Sequence, residues 1–466
     1  MIVDRTRDEE YVSIKPTARQ LLHQELEFYA FFHFGINTFT DKEWGDGTDK
    51  PELFHPTKMN AQNWVDAIKK AGMKGAILTC KHHDGFCLWP TKYSEYSVKN
   101  SSYKDGKGDI VKEVSDALRK EGLKFGVYLS PWDRNSRLYG SGKAYDDYYV
   151  NQLQELLTEY GDVFTVWLDG ACGEGPNGRK QIYDWERYYK TIRTLMPNAC
   201  ISVCGADVRW CGNEAGDTRE SEWSVVPAAL KDAERIADKS QKSDNDAFRT
   251  KKISSMDLDL GSRHRLENER NLIWYPAEVN TSIRPGWFYH ASEDTKIKKL
   301  SELVDIYEKS VGGNATFLLN IPPNREGLIQ QEDYNRLAEL GAYIKEKYEV
   351  NLAEEAELIP DGKAVSDKEH VLKTDDGVYS ASIRVLLPQK TTITRVVLME
   401  DIKESQRIEA FRVEGKMNSR YQTLYEGTTI GYKKIASFEE VVTDELRISI
   451  LDSRVSVRLK SIGVYA

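Results

Sequence analysis

Polar and aromatic side chains follow four apolar segments in the first half of the chain. The segments end in Phe32-His33-Phe34-Gly35, Lys81-His82-His83-Asp84, Tyr128-Leu129-Ser130-Pro131-Trp132 and Trp167-Leu168-Asp169-Gly170. Histidine, tyrosine and aspartate can exchange protons and form hydrogen bonds with hydroxyl groups, and tryptophan offers a flat apolar face. These residue types fit acid–base or nucleophilic chemistry on a substrate that carries several hydroxyl groups, such as a sugar.

Asp169 is the leading candidate for a nucleophile. An aspartate before a glycine is usually a turn or cap residue, but this one ends an otherwise apolar segment and follows Trp167 closely. A rigid strand end suits a carboxylate that must hold its position during attack. Cleavage of a glycosidic bond also needs a second carboxyl group, which protonates the leaving oxygen. Spacing alone does not identify it, and the candidates are Glu43, Glu214, Glu220, Glu222 and Glu278.

Three of the eight histidines, His33, His82 and His83, lie at these segment ends. A zinc or iron site is therefore an alternative, because imidazoles and carboxylates bind such ions. His82 and His83 are adjacent, however, and on a regular strand their side chains would point to opposite faces. At a kinked strand end both could reach one ligand, and vicinal sugar hydroxyls suit such a pair better than a metal ion. We expect no metal and no other cofactor.

Short apolar segments alternate with amphipathic ones up to about residue 350. The predicted strands are Glu27–Ile36, Lys74–Cys80, Lys124–Ser130, Val163–Leu168, Ala199–Cys204, Asn271–Val279 and Ala315–Ile321. The predicted helices are Asn60–Met73, Asp109–Gly122, Tyr145–Tyr160, Asp184–Met196, Lys296–Ser310 and Glu332–Tyr348.

This alternation predicts an α/β fold. Apolar strands without in/out alternation, separated by helices, indicate a parallel sheet, and so many repeats favour a (β/α)8-like TIM barrel. In such a barrel the reacting groups project from the carboxyl ends of the strands, where the histidines and Asp169 are found. The polar stretch from Pro227 to Asn271 interrupts the pattern and is predicted to be an elaborated loop with a short helix.

The last part of the chain differs in character. From residue 351 onward, short β-rich segments are separated by turns with no helix pattern between them, which predicts a C-terminal β-sandwich. We therefore expect a catalytic barrel over residues 1–350 and a sandwich over residues 351–466. The sandwich could bind glycans itself, or it could serve only to bury the apolar side of the barrel.

Composition excludes some classes of protein. The chain of 466 residues has 65 Lys and Arg against 74 Asp and Glu, a net charge of −9, which argues against nucleic-acid binding. No stretch approaches the ~20 apolar residues of a membrane span, and the N-terminus lacks the apolar core of a signal peptide. This predicts a cytoplasmic protein, whereas a removed signal would place it in the periplasm or outside the cell. The six cysteines have no zinc-site spacing and are expected to be buried thiols.

Taken in their order and spacing, the four segment ends resemble the α-L-fucosidases of glycoside hydrolase family 29. The segment Asn314–Leu328 is similar to the last barrel strand and loop of that family. Three further segments resemble its branch that is specific for α-1,3/1,4-linked fucose, and they are Asn37–Asp46, Asp259–Arg263 and Pro276–Phe288. The resemblance covers about residues 27–348.

The resemblance implies a function and a set of roles. The protein would be a retaining exo-α-L-fucosidase acting on a fucosylated oligosaccharide or glycoconjugate, with Asp169 as nucleophile and Glu214 as general acid/base. The fucose hydroxyls would be bound by His33, His82, His83 and Tyr128, with Glu43, Trp44, Trp167 and Trp287 completing the pocket. Phe34 and Trp287 are expected beside the C6 methyl group. Neither the sequence nor the resemblance gives the oligomeric state.

Three other interpretations remain open. One is an α-L-fucosidase of broad linkage specificity. Another is a metal-dependent hydrolase or isomerase on the same barrel, which a chelator would inactivate. The third is a carbohydrate-binding protein with an inactive site, although the presence of Asp169 and several candidate acids argues against it.

Overall fold

A computed structural model describes residues 3–250 and 255–466 of the chain. The strands of its first part are β1 Phe28–Phe32, β2 Gly75–Lys81, β3 Lys124–Leu129, β4 Thr165–Leu168, β5 Cys200–Val203, β6 Arg209–Trp210, β7 Val225–Pro227, β8 Leu272–Trp274, β9 Ala277–Ser282 and β10 Ala315–Asn320. The α-helices are α1 Asp8–Ser13, α2 Ala18–Gln24, α3 Ile36–Thr40, α4 Ala61–Lys70, α5 Ile110–Lys120, α6 Lys143–Glu159, α7 Trp185–Leu195, α8 Ala233–Lys239, α9 Ala247–Thr250, α10 Arg263–Leu266, α11 Leu300–Ser310 and α12 Gln331–Tyr348.

Eight of the strands form a nearly closed parallel barrel. They are hydrogen-bonded in the order β5-β4-β3-β2-β1-β10-β9-β6, and a parallel bridge between Ser202 and Val208 joins the two ends of the sheet. Strands such as β1 and β2 are buried along their whole length. Both of their faces are covered, one by the barrel interior and the other by the helices. The predicted (β/α)8-like barrel is confirmed.

Two of the helices around the barrel begin at a capping residue. Asn60 and Asp109 precede α4 and α5, and each side chain accepts a hydrogen bond from a backbone N–H in the first turn. Along α4, Trp64, Val65 and Ile68 are fully buried, because they recur at the spacing that places them on one face. The six predicted helices are present, and their ends lie within a few residues of the prediction.

One strand prediction was wrong, and one barrel strand was not predicted. The predicted strand Asn271–Val279 is divided at Pro276. The part before it is β8, which pairs antiparallel with β7 outside the barrel, and the part after it begins β9 of the barrel. Proline has no N–H for a strand ladder, which explains the break. In addition, the strand β6, Arg209–Trp210, is absent from the predicted strands, because two residues are too few to show a periodic pattern.

The segment from Pro227 to Asn271 is largely irregular, as predicted. Its described residues contain the short helices α8, α9 and α10 rather than a single one. Part of the segment, residues 251–254, lies outside the described residues.

The C-terminal part is antiparallel. Its strands are β11 Glu357–Pro360, β12 Leu372–Lys373, β13 Ala381–Glu400, β14 Ile408–Met417, β15 Arg420–Gly427, β16 Lys434–Ser453 and β17 Arg458–Tyr465. They are joined in the order β12-β17-β13-β16-β14-β15, with β11 on β13. Alternate residues such as Ile383 and Val385 are fully buried in a core separate from that of the barrel. The predicted C-terminal β-sandwich is confirmed.

The sequence also predicted that no segment spans a membrane and that the cysteines are buried thiols. In the part of the chain that the structure describes, every helix is too short or too polar to cross a membrane. All six cysteines are free thiols, and five of them are buried while Cys172 is partly exposed.

A buried ion cluster fixes the segment that follows β6. The carboxylate of Glu222 lies 2.6 Å from Nη2 of Arg209 and 3.3 Å from Nη1 of Arg219, and all three side chains are almost fully buried. Burial alone would raise the pKa of Glu222, but the two guanidinium groups outweigh burial and lower it. The cluster ties both ends of the segment 209–222, which contains Glu214, to the barrel.

Removing the charge of Glu222 should therefore destabilise the protein strongly. We expect Glu222→Gln to cost about 3–5 kcal/mol, the scale of breaking a buried ion pair, because it leaves Arg209 charged and uncompensated. Urea denaturation followed by tryptophan fluorescence measures the change in midpoint. The matched control is Glu220→Gln, two residues away and exposed, for which we expect a change of less than about 0.5 kcal/mol. Equal midpoints for the two variants would contradict this account.

Candidate active site

A pocket lies at the carboxyl ends of the barrel strands. Its walls are formed by Phe31, His33, Trp44, His82, His83, Tyr128, Trp167, Asp169, Ala171, Val203, Trp210, Glu214, Ser240, Gln241, Asn280 and Trp287. Every site residue expected from the sequence lines this pocket except Glu43 and Phe34. Parallel strands end at the same edge of a barrel, which explains how residues far apart in the sequence meet here.

Asp169 is the first residue after β4, and two hydrogen bonds hold its carboxylate. Tyr128 donates its hydroxyl to Oδ2 at 2.9 Å, and the backbone N–H of Ala171 donates to Oδ1 at 2.8 Å. Burial raises the pKa of Asp169, and these two donors oppose the rise because they stabilise the ionised form. Both donors favour the ionised form of Asp169 within the pocket.

Glu214 lies in the same pocket in a different electrostatic environment. Its side chain accepts one hydrogen bond, from the indole N–H of Trp287 at 3.1 Å. Burial raises the pKa of Glu214 to about 7, and the negative charge of Asp169 adds to the rise. A carboxyl group with this pKa can hold a proton near neutral pH and give it up during a reaction.

The other candidate acids lie outside the pocket wall. Glu222 belongs to the buried ion cluster, and Glu220 is exposed elsewhere. Glu278 is fully buried behind Trp167, whose indole N–H donates to it at 2.7 Å, and burial raises its pKa to about 7. Of the five glutamates, Glu214 is the one whose side chain lines the pocket.

Glu43 does not line the pocket but holds a loop that does. Its carboxylate accepts hydrogen bonds from the backbone N–H groups of Trp287 and Phe288, both at 2.9 Å, and from Nε2 of His290 at 2.8 Å. Nη1 of Arg249 lies 2.9 Å from the same carboxylate. Burial would raise the pKa of Glu43, but these partners outweigh burial and lower it. Glu43 therefore anchors the loop that carries Trp287.

The tautomer of His33 follows from its partners. Asn320 donates its amide N–H groups to Ser282 Oγ and to the backbone carbonyl of Trp287. Its oxygen is thus the acceptor that lies 2.8 Å from Nδ1 of His33, so Nδ1 carries the hydrogen. Nε2 of His33 is left as an acceptor.

The tautomer of His83 follows from its partner in the same way. Ser130 donates its hydroxyl to the carbonyl of Trp132, so its oxygen accepts from Nδ1 of His83 at 2.8 Å. Nε2 of His83 is again an acceptor, 3.7 Å from Asp169 Oδ2. Burial lowers the pKa of His33 to about 4 and that of His83 to about 3, so both rings are neutral at neutral pH. Both can accept hydrogen bonds from hydroxyl groups.

The pairing of β2 with β3 is irregular between Thr79 and Lys81, just before His82 and His83. β2 ends at Lys81, and the centroids of the two imidazole rings that follow are 4.1 Å apart. The ring of His82 also stacks on that of Tyr128 at 5.6 Å. Nδ1 of His82 is buried without a hydrogen-bond partner among the described residues. Both histidines therefore line one pocket.

Tryptophans form much of the remaining wall. Trp167 stacks on Tyr128 with ring centroids 5.4 Å apart, and Trp44 packs edge-on against His83 at 5.3 Å. Phe34, expected beside the pocket, instead packs in the core against Phe39, Phe54 and Trp64. Phe31, three residues earlier, takes the place on the wall.

Several wall residues were missed in the sequence. Trp210 ends the two-residue strand β6, and Asn280 lies in β9 beyond the predicted end of that strand. The polar residues in Ala277–Ser282 were a signal, because polar side chains at the end of an apolar strand marked the other site residues. Ser240 and Gln241 follow α8 in the charge-mixed segment, where no pattern distinguishes them.

A metal-binding geometry occurs elsewhere in the structure. Among residues 3–250 and 255–466, the group of histidine and carboxylate atoms close enough to share an ion is His370, Asp401 and Glu404, in the sandwich. Glu404 is already paired with Arg458 at 2.9 Å. The pocket histidines are not part of such a group.

Comparison with known proteins gives the family. The α-L-fucosidase family model matches residues 18–349. Alpha-L-fucosidase 1 of Arabidopsis thaliana is 37% identical over 97% of this chain and 87% of its own length. The crystal structure of a glycoside hydrolase 29 family member from a rumen bacterium has 40% identity and a TM-score of 0.80, covering 97% of this chain and 77% of that one.

The present chain is also similar to an enzyme whose structure was solved in complex with fucose. The Ruminococcus gnavus glycoside hydrolase family 29 fucosidase in complex with fucose has 31% identity and a TM-score of 0.82, over 97% of this chain and 95% of that chain. The present chain belongs to the α-L-fucosidase family, glycoside hydrolase family 29, and is a hydrolase.

The pKa of Glu214 predicts a pH dependence. If Glu214 must be protonated to act, kcat/KM on an aryl fucoside should fall about tenfold per pH unit above pH 7, because the acid form is lost there. Glu214→Gln should remove this basic limb and lower the rate about 10²–10⁴-fold, the scale of losing a general acid.

Glu278→Gln is the matched control for this prediction. Glu278 is a second buried carboxyl group whose pKa is raised to about 7, so it could produce a limb at the same pH. We expect Glu278→Gln to retain the basic limb, whatever its effect on rate. If the basic limb persists in Glu214→Gln and disappears in Glu278→Gln, the titrating group is Glu278, and the prediction for Glu214 is wrong.

Proposed function

We propose that the protein is a retaining exo-α-L-fucosidase that removes terminal α-1,3/1,4-linked L-fucose from branched, Lewis-type oligosaccharides or glycoconjugates. Membership of the family supports fucosidase activity. The finer statements, the linkage and the retaining mechanism, rest on the residues of the pocket.

One observation carries the proposal. Asp169, whose carboxylate accepts two hydrogen bonds that favour its ionised form, shares a pocket with Glu214, a carboxyl group whose pKa is raised to about 7. Retaining glycosidases need this division, because one group attacks the sugar while the other donates a proton.

The proposed reaction has two steps. Asp169 attacks the anomeric carbon of fucose while Glu214 protonates the departing oxygen, so that the leaving group departs and a β-linked fucosyl–enzyme ester forms. Glu214, now ionised, takes a proton from a water molecule that attacks the same carbon and breaks the ester bond. Fucose leaves in the α configuration, and both carboxyl groups return to their starting protonation states.

Hydroxyl recognition would use the neutral histidines. Nε2 of His33 and Nε2 of His83 are acceptors, so each would take a hydrogen bond from a fucose hydroxyl rather than donate one. Phe31 and Trp287, with ring centroids 6.4 Å apart, offer an apolar surface for the C6 methyl group. A pocket that matches one sugar in this way suits release of a terminal residue.

Two segments support the linkage proposal. Asn37–Asp46 and Pro276–Phe288 resemble the α-1,3/1,4-specific branch, and they contribute Trp44, Asn280 and Trp287 to the wall. Glu43 connects the two segments through its hydrogen bonds to Trp287 and Phe288. Two of the three segments that resemble the branch therefore contribute residues to the pocket wall.

Replacing the nucleophile tests the mechanism. We expect Asp169→Ala to lose about 10³-fold or more in kcat on an aryl fucoside, because no covalent intermediate can form. Added azide should restore cleavage and give β-fucosyl azide, the inverted product, because the small anion enters the space left by the carboxylate. Turnover close to that of the wild type would contradict the role of Asp169.

A product assay tests the linkage. The wild type should release fucose faster from a Lewis-type branched trisaccharide than from 2′-fucosyllactose, with an aryl fucoside as the reference for intrinsic activity. Equal kcat/KM on the two oligosaccharides would instead indicate an α-L-fucosidase of broad linkage specificity.

A further inference from the structure

A second groove adjoins the pocket. It has a volume of about 420 Å³, within the range of ligand-binding sites. Glu214 and Trp287 line both the pocket and this groove. Because Glu214 is the proposed proton donor to the leaving oxygen, the groove begins where the leaving group would emerge.

The groove is rich in positive charge. Five cationic side chains line it, together with two carboxyl groups, Glu214 and Glu302. The chain as a whole carries a net charge of −9, so this concentration of cations is local. The cationic residues are Arg249, Arg284, Lys296, Lys298 and Lys299.

Three of these cations have carboxylate partners. Arg249 pairs with Glu43 at 2.9 Å, and Lys298 lies 3.4 Å from Glu302. Arg284 pairs with two aspartates, Asp294 and Asp333, both at 2.8 Å. Their charges are largely compensated within the protein.

Lys296 and Lys299 differ from the other three. Both are exposed at the edge of the groove, just before helix α11. Within the described part of the chain neither ammonium group has a carboxylate within 4 Å. Two positive charges are thus left uncompensated beside the path of the leaving group.

We propose that this groove binds an anionic substituent, a sulfate ester or a carboxylate, on the leaving-group sugar, and that Lys296 and Lys299 recognise its charge. The inference rests on the proposed fucosidase function and adds to it a preference for acidic glycans. The fucose pocket itself would not provide this preference, because its histidines are neutral at neutral pH.

The test compares acidic and neutral substrates. Fucose release is measured from a neutral Lewis-type trisaccharide and from the same sugar carrying a sulfate ester or a sialic acid on galactose. The wild type should show a kcat/KM roughly 3- to 10-fold higher on an acidic substrate at about 20 mM salt, and the difference should shrink at about 500 mM salt, since solvent-exposed charges are screened. Comparing the sulfated sugar with the sialylated sugar shows whether the groove prefers a sulfate ester or a carboxylate.

The double variant Lys296→Gln/Lys299→Gln identifies the residues. It should lose the preference for the acidic substrate and change kcat/KM on the neutral trisaccharide less than about twofold. The matched control, Lys363→Gln/Lys390→Gln, removes the same charge from exposed positions in the sandwich and should retain the preference. Equal kcat/KM on acidic and neutral substrates in the wild type, or a preference that survives in the double variant, would overturn the inference.

Binding of the leaving group gives a readout that needs no turnover. Calorimetry should detect tighter binding of the sulfated or sialylated disaccharide without fucose than of its neutral counterpart, and the double variant should abolish the difference. If the wild type hydrolyses an aryl fucoside but binds both disaccharides equally, the groove inference fails and the fucosidase proposal stands. If it releases fucose from no substrate, both fail.

Discussion

Desolvation acts on both carboxyl groups of the pocket, and the proposed chemistry depends on their responding to it differently. Burial raises the pKa of Asp169 and of Glu214 alike. The difference lies in the donors: Asp169 receives a hydroxyl and a backbone N–H, whereas Glu214 receives one indole N–H. Donors that stabilise the charged form allow one group to remain a carboxylate beside a neighbour that holds its proton.

Much of the surrounding structure maintains this difference. The ion cluster of Arg209, Glu222 and Arg219 fixes the segment that presents Glu214. Glu43 fixes the loop that presents Trp287, the hydrogen-bond donor to Glu214. Two buried carboxylates outside the pocket wall, Glu222 and Glu43, therefore help to hold Glu214 in position.

The sequence predicted the barrel, the sandwich and most of the wall, because each depends on a local pattern. Apolar segments with polar ends indicated parallel strands and marked His33, His83 and Asp169. The two-residue strand β6 could not be predicted, since it has no periodicity and exists because it pairs with β9. For the same reason Trp210 was missed. The positions of Phe34 and Glu43 depend on packing between distant segments, which no local pattern records.

The most direct measurement is identification of the residue that bonds to the sugar. A slowly hydrolysed fluorinated fucosyl donor should trap the intermediate, and a crystal structure of the trapped enzyme should show the anomeric carbon joined to a carboxylate oxygen of Asp169. Mass spectrometry of a digest should find the added mass on the peptide that contains this residue. A bond to any other side chain, or a bound cation where the sugar should lie, would contradict the account.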